Sequence, residues 1–97
     1  MATTSTNAEL MSLKNIGISS ANILHAIGIN TYDDLHRVGA VNAYCKIKQR
    51  GIPASKVMLY ALYGALTDMH WNDLAPELKE SLVNEAEARE SVAESAH

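Results

Sequence analysis

Glycines at positions 17, 28, 39 and 51 cut the first half of the chain into segments of ten or eleven residues. Each such segment accommodates a helix of two or three turns and nothing longer. Apolar residues make up 47% of the chain, yet its only aromatic residues are four Tyr and one Trp. A core built from Leu, Ile, Val, Ala and Met suits packed helices better than a sandwich of β-branched and aromatic residues. With 97 residues and only two prolines, the chain is expected to form one domain with short connections and a modest core.

Met1 to Asn7 is rich in Thr and Ser and has neither the basic residues nor the apolar run of a signal peptide, so residues 1–7 read as a disordered lead-in. The domain is expected over residues 8–84. A first helix covers Ala8 to Lys14 and stops at Asn15-Ile16-Gly17. Ser19 or Ser20 then caps a second helix carrying Ile23, Leu24 and Ile27, which ends at Gly28. Thr31 caps a third, with Asp34 three residues on as an acidic variant of the capping box and Asp33 beside it in the first turn. Ala40 to Arg50 forms a fourth, with Val41, Tyr44, Cys45 and Ile47 inward. Ser55 caps the fifth, Lys56 to Met69, which is apolar nearly all round and reads as the most buried helix. Gly64 within it costs roughly 1 kcal/mol against Ala in an exposed helix, which calls for another backbone packed close by. Trp71 is expected to cover one end of the core. Pro76 opens a last helix with Leu78, Leu82 and Val83. Residues 85–97 read as an acidic tail, helical at most, in which only Val92 is a sizeable apolar residue. The fold class is therefore all-α: a compact bundle of about six short helices.

The net charge of −3 is unevenly spread. Residues 76–97 carry six Glu against Lys79 and Arg89, whereas residues 1–75 carry five acids against six bases. Lys46, Lys48, Arg50 and Lys56 are the one positive concentration, read first as a solvated helix face. A lone Cys45 excludes an internal disulfide and points to a reducing cytoplasm. No segment approaches the roughly 18 apolar residues of a membrane span. His25, His36, His70 and His97 lack zinc-site spacing with Cys45, and His70 reads as a helix-end residue. Asp33, Asp34, Asp68 and Asp73 are accounted for by helix starts and loops. No phosphate loop, nucleophile elbow or HExxH pattern is present. No catalytic activity, cofactor, metal or small-molecule substrate is expected.

The stretch Leu13-Lys14-Asn15-Ile16-Gly17-Ile18-Ser19-Ser20, followed by Leu24 and Gly28-Ile29, has the form of a helix-hairpin-helix. In that motif a glycine turn leads into a helix whose free N–H groups bind a phosphate without reading sequence. Ser19 stands where a second small residue, often Gly, is usual, which restricts the backbone's approach to a phosphate. The architectural reading of the turn is therefore preferred. A phosphate or DNA contact, if made, would draw on Lys14, Gly17, Ser19 and Ser20, with Lys46, Lys48, Arg50 and Lys56 if they lie beside them.

A wider pattern adds Asn30-Thr31, Asp34-Leu35, Gly39-Ala40-Val41 with Tyr44, Leu59-Tyr60-Ala61-Leu62 with Gly64-Ala65-Leu66, and His70-Trp71 with Leu74. Over roughly residues 10–83 the chain resembles the C-terminal domain of the TfoX/Sxy family. That resemblance implies a part in regulating natural competence for DNA uptake in bacteria, alongside the cyclic-AMP receptor protein at competence promoters. Full-length regulators of the family carry a further N-terminal domain for which 97 residues leave no room, so an isolated domain or a standalone relative is expected. More distantly, Ser20-Ala21-Asn22-Ile23-Leu24 with Asp33-Asp34-Leu35 is similar to the C-terminal domain of the RNA polymerase alpha subunit. Fold alone does not establish function.

Two functions follow as expectations. The first is a protein-interaction module in transcriptional control, binding a regulator or a second copy of itself through an apolar patch involving Met11, Met58 or the last helix. The second is a domain that binds duplex DNA non-specifically, with affinity falling steeply as salt rises. The near-neutral body and acidic tail favour the first.

Overall fold

The computed structural model describes residues 9–95, with side chains through residue 90. The lead-in expected over residues 1–7, Ala8, the burial of Val92, and His97 lie outside the described residues. Residues 9–11 are the described end of helix α1. Helices α2 (Ile18–Ala26), α3 (Tyr32–Val38), α4 (Ala40–Gln49) and α5 (Lys56–Thr67) follow, then a single 3-10 turn at Trp71–Asp73 and helix α6 (Pro76–Ser95). Among the described residues there is no strand, so the chain is all-α, with one long helix among the short ones.

The glycine stops act through their backbones. After α2, Gly28 turns at φ +86°, the Ile29 N–H donates to the Leu24 carbonyl (2.9 Å) and the Gly28 N–H to that of His25 (3.1 Å). Gly51, at φ +77°, repeats the pattern after α4, with Ile52 donating to Ile47 and Gly51 to Lys48. These reversed bonds satisfy carbonyls that a helix end leaves open, and the left-handed conformation they need is cheapest for glycine. The same turn directs Ile29 into the core.

Thr31 caps α3 as expected: its Oγ1 accepts the Asp34 N–H at 3.1 Å, and the Asp34 carboxylate accepts the Asn30 N–H at 3.0 Å. Neither Ser19 nor Ser20 caps α2. The Gly17 carbonyl accepts the Ala21 N–H at 2.9 Å, so the helix begins at Ile18 with Gly17 in the cap position. The two serines are its second and third residues. Ser55 holds the cap position of α5, but its side chain accepts no bond there.

Leu10, Leu24, Ile29, Leu35, Ile47, Leu59 and Leu62 are fully buried and come from every element up to α5. Helix α5 shares the centre with α4. Ala40, Val41, Ala43, Tyr44, Cys45 and Ile47 of α4 are buried, and this helix packs against α2, α3, α5 and α6. By contrast, Val57 of α5 is exposed and Met58 only half-buried. Small residues let α4 take this place, since Ala40, Ala43 and Cys45 permit close approach from several sides.

Helix α6 runs unbroken through residue 84 to Ser95. Leu82 is buried, as expected. Beyond it Ala86 is only 2% exposed, and its carbonyl lies 3.7 Å from the Cys45 Sγ. The acidic stretch thus reaches the core through a single methyl group. Trp71 is half-buried and stacks on Tyr60, which packs against the core, ring centroids 6.5 Å apart.

Candidate functional site

The turn between α1 and α2 is held by Asn15. Its backbone is left-handed at φ +72°, a conformation Asn tolerates better than most side chains. From there Nδ2 donates to the carbonyls of Met69 (2.9 Å) and Ala61 (3.3 Å), and Oδ1 accepts the Trp71 backbone N–H (3.1 Å). Gly64 makes room for this. A Cβ at Gly64 would collide with the Met69 carbonyl oxygen and sit 2.5 Å from Asn15 Nδ2. The close-packed backbone expected at Gly64 is therefore the Met69 carbonyl. Three separated stretches, Asn15-Ile16-Gly17, the Gly64 region of α5 and His70-Trp71, meet in one knot.

Gly17 is not the residue that makes the turn. Its φ of −95° and ψ of −171° describe ordinary extended backbone, and an added Cβ would meet nothing within 4 Å. Around the knot three apolar side chains stand exposed among polar ones: Ile18 is 55% exposed, Met11 43% and Met69 39%. The cation nearest in sequence, Lys14, has its Nζ 3.9 Å from Asp68 Oδ1, both side chains largely in solvent. Ser19 is exposed and Ser20 half-buried.

The basic residues divide into two groups. Lys46 and Lys48 are two residues apart, hence about 200° around the helix. Lys48 faces α6, its Nζ 3.2 Å from Glu90 Oε1 and 5.4 Å from the Tyr44 ring centroid. The adjacent Glu90 carboxylate, with the Tyr44 side chain adding to it, lifts the Lys48 pKa above that of an ordinary lysine. Lys56 lines the same small depression, with Glu87 and Glu90. Lys46 and Arg50 share the other face of α4, where with Gln49 they adjoin Ile27 at the C-terminal end of α2. Among the described residues neither has a carboxylate within 4.0 Å. Ten residues of helical rise, about 15 Å, separate Ile27 from Gly17. The structure thus gathers Lys14, Gly17, Ser19 and Ser20 at one end of α2 and Lys46 and Arg50 at the other.

Sequence reasoning left out Arg37 and Arg89, which line a groove with Lys46. The signal for Arg37 was available, since it lies in the last turn of the helix immediately before α4. Arg89 was hidden in a segment read as acidic tail.

His70 caps the 3-10 turn, its Nδ1 accepting the Asn72 N–H at 3.2 Å. Lys79 lies over both the Tyr60 and Trp71 rings, at 5.5 and 5.4 Å. Burial, with the Glu90 carboxylate adding to it, pushes the Cys45 thiol pKa up. No helix of the described residues is long and apolar enough to cross a membrane.

Comparison with known proteins bears on this arrangement at three levels. No curated protein matches the sequence. A crystal structure described as an uncharacterized protein from Listeria monocytogenes is similar, with a TM-score of 0.75 and 31% sequence identity. The match covers 84% of this chain and 92% of that one. The sequence model of the TfoX C-terminal domain matches residues 6–86, a span that takes in Asn15, Gly64, Trp71 and the buried Ala86. The chain belongs to the TfoX C-terminal domain family.

Proposed function

We propose that this domain is a non-enzymatic regulatory module that acts through protein–protein contacts in transcriptional control, docking its partner on the apolar rim of the α1–α2 turn. The carrying observation is the character of that rim. Ile18, Met11 and Met69 are all substantially exposed. They surround a turn that the Asn15 hydrogen bonds hold in place. A rigid apolar surface of this kind loses little entropy on binding and gains from burial against a protein. Family membership supports a place in the control of bacterial competence genes, the setting in which full-length regulators of this type act. A phosphate backbone would gain little from Ile18 and Met69, and the cations Lys46 and Arg50 lie at the far end of α2.

Photocrosslinking from position 18 in a bacterium that expresses the protein tests this reading. The expected product is a protein adduct, to a transcription regulator or a second copy, that disappears on Met69→Glu. Crosslinks to nucleic acid alone, or a protein adduct indifferent to Met69→Glu, would sink it. A salt titration with a 20-base-pair duplex adds a second check. Tight binding at low salt that is lost steeply as salt rises, through phosphate contacts, would replace the protein reading with the DNA one.

A further inference from the structure

We propose that the groove between α4 and α6 is a docking site for an acidic protein segment carrying an apolar anchor residue. The groove is open and has a volume of about 750 Å³. Three cations stand around it, Arg37 from α3, Lys46 from α4 and Arg89 from α6, against a single acid, Glu85. Its base is apolar, formed by half-buried Val38 and buried Cys45. A second depression of about 290 Å³ shares Val38, Asn42, Glu85 and Arg89 with it and extends the apolar base over Tyr63 and Leu66. The two form one trough with a greasy floor and a positive rim.

The charges on the rim are available. Arg37 pairs with Asp34 one turn back on α3, and Arg89 with Glu85 one turn back on α6 at 2.9 Å. Both arginines are exposed, Arg37 beside a half-buried Asp34 and Arg89 beside an exposed Glu85, and pairs one turn apart on a helix are weak. Lys46 has no carboxylate partner among the described residues. A guanidinium fork takes a carboxylate in two parallel hydrogen bonds, so two arginines flanking a lysine fit a run of acidic side chains.

The floor decides between an acidic protein and a nucleic acid. Phosphate backbones gain from cations and N–H donors and gain nothing from Val38, Tyr63 or Leu66. An amphipathic segment uses both parts, placing an aliphatic or aromatic residue on the floor and carboxylates on the rim. This trough shares no residue with the rim of the α1–α2 turn, so the two readings stand or fall separately.

The test uses the intact domain and a random twelve-residue phage-displayed peptide library. Selected peptides are expected to carry two or more Asp or Glu around a Leu, Ile, Phe or Trp. Added to isotope-labelled protein, a synthetic copy shifts the amide signals of Val38, Cys45 and Arg89. The double variant Lys46→Glu with Arg89→Glu weakens that peptide at least tenfold. Ala88→Trp, which fills the groove without changing charge, does the same, while Lys56→Glu leaves binding unchanged. Retained dispersion in the variants' spectra shows that they fold. Peptides without acidic residues, no enriched peptide, shifts confined to another face, or equal displacement of those signals by duplex DNA would each overturn the proposal.

Discussion

Asn15 Nδ2 occupies the space into which a side chain on Gly64 would project, 2.5 Å from where its Cβ would stand. Residues 46 to 56 positions apart in sequence are tied through this contact and its neighbours. Gly64→Ala therefore sets two effects against each other. Alanine in a helix interior gains about 1 kcal/mol over glycine, while overpacking costs roughly 1–3 kcal/mol. The obstructing Met69 oxygen is backbone and has little freedom to move aside, so the upper end of that cost applies and net destabilisation of up to about 2 kcal/mol is expected by urea unfolding. A more stable Gly64→Ala protein would show that the turn yields instead.

Asn15 contributes both a backbone conformation and three hydrogen bonds, and two substitutions separate them. Asn15→Ala leaves two carbonyls and the Trp71 N–H without these partners, at roughly 2–3 kcal/mol, and adds the strain of alanine at a φ of +72°. Asn15→Gly loses the same bonds without the strain, so it should be more stable than Asn15→Ala by about 1 kcal/mol. Combining Asn15→Gly with Gly64→Ala removes one of the two obstructions, so the pair should cost less than the sum of the singles. Strict additivity would mean that the two residues do not share the space.

These features mark the boundary of what was legible in the sequence. Thr31, Gly28 and Gly51 act on bonds within five residues of themselves, so local chemistry predicts them. The start of α2 was misplaced because a serine side chain was weighed as the cap and the Gly17 carbonyl was not. The Asn15 knot depends on contacts that form only after α5 returns to the first turn, and no local pattern encodes them. The burial of Ala86 was missed for a related reason. Alanine carries no hydrophobic signal of its own, and its place is set by the small side chains of α4 facing it. The division of the basic set, however, follows from helix geometry alone.

Asp34 gives the domain an acid-sensitive element. Its pKa lies below the ordinary carboxylate value, chiefly because its carboxylate accepts the Asn30 N–H, with the nearby Arg37 charge helping. A carboxyl whose pKa is lowered on folding adds stability above its unfolded pKa, about 4, and that contribution is lost as pH falls through the folded value. Wild type should therefore lose stability more steeply than Asp34→Asn between about pH 5 and pH 2, with the two curves converging at the acid end. Parallel curves would remove Asp34 from the balance. Thr31→Ala, which deletes the other half of the cap, should cost about 1 kcal/mol at neutral pH.

Cys45 reports on the seating of α6. Its side chain is buried between α4 and α6, with the Ala86 carbonyl 3.7 Å from the sulfur. Burial raises its pKa, and the Glu90 carboxylate adds to the effect, so little thiolate forms at pH 8, and what forms is covered. Reaction with a thiol reagent must await local opening, and an opening free energy of about 3 kcal/mol slows it roughly a hundredfold against the chain in urea. Ending the chain after Asn84 removes Ala86 and the Lys48–Glu90 pair together. That chain loses a methyl worth about 0.8 kcal/mol and a half-buried ion pair worth about 1 kcal/mol. Labelling should then accelerate by about tenfold while circular dichroism still shows a folded helical domain. Unchanged labelling would mean that residues beyond 84 do not guard the sulfur, and that α6 ends in energetic terms where its larger apolar residues end.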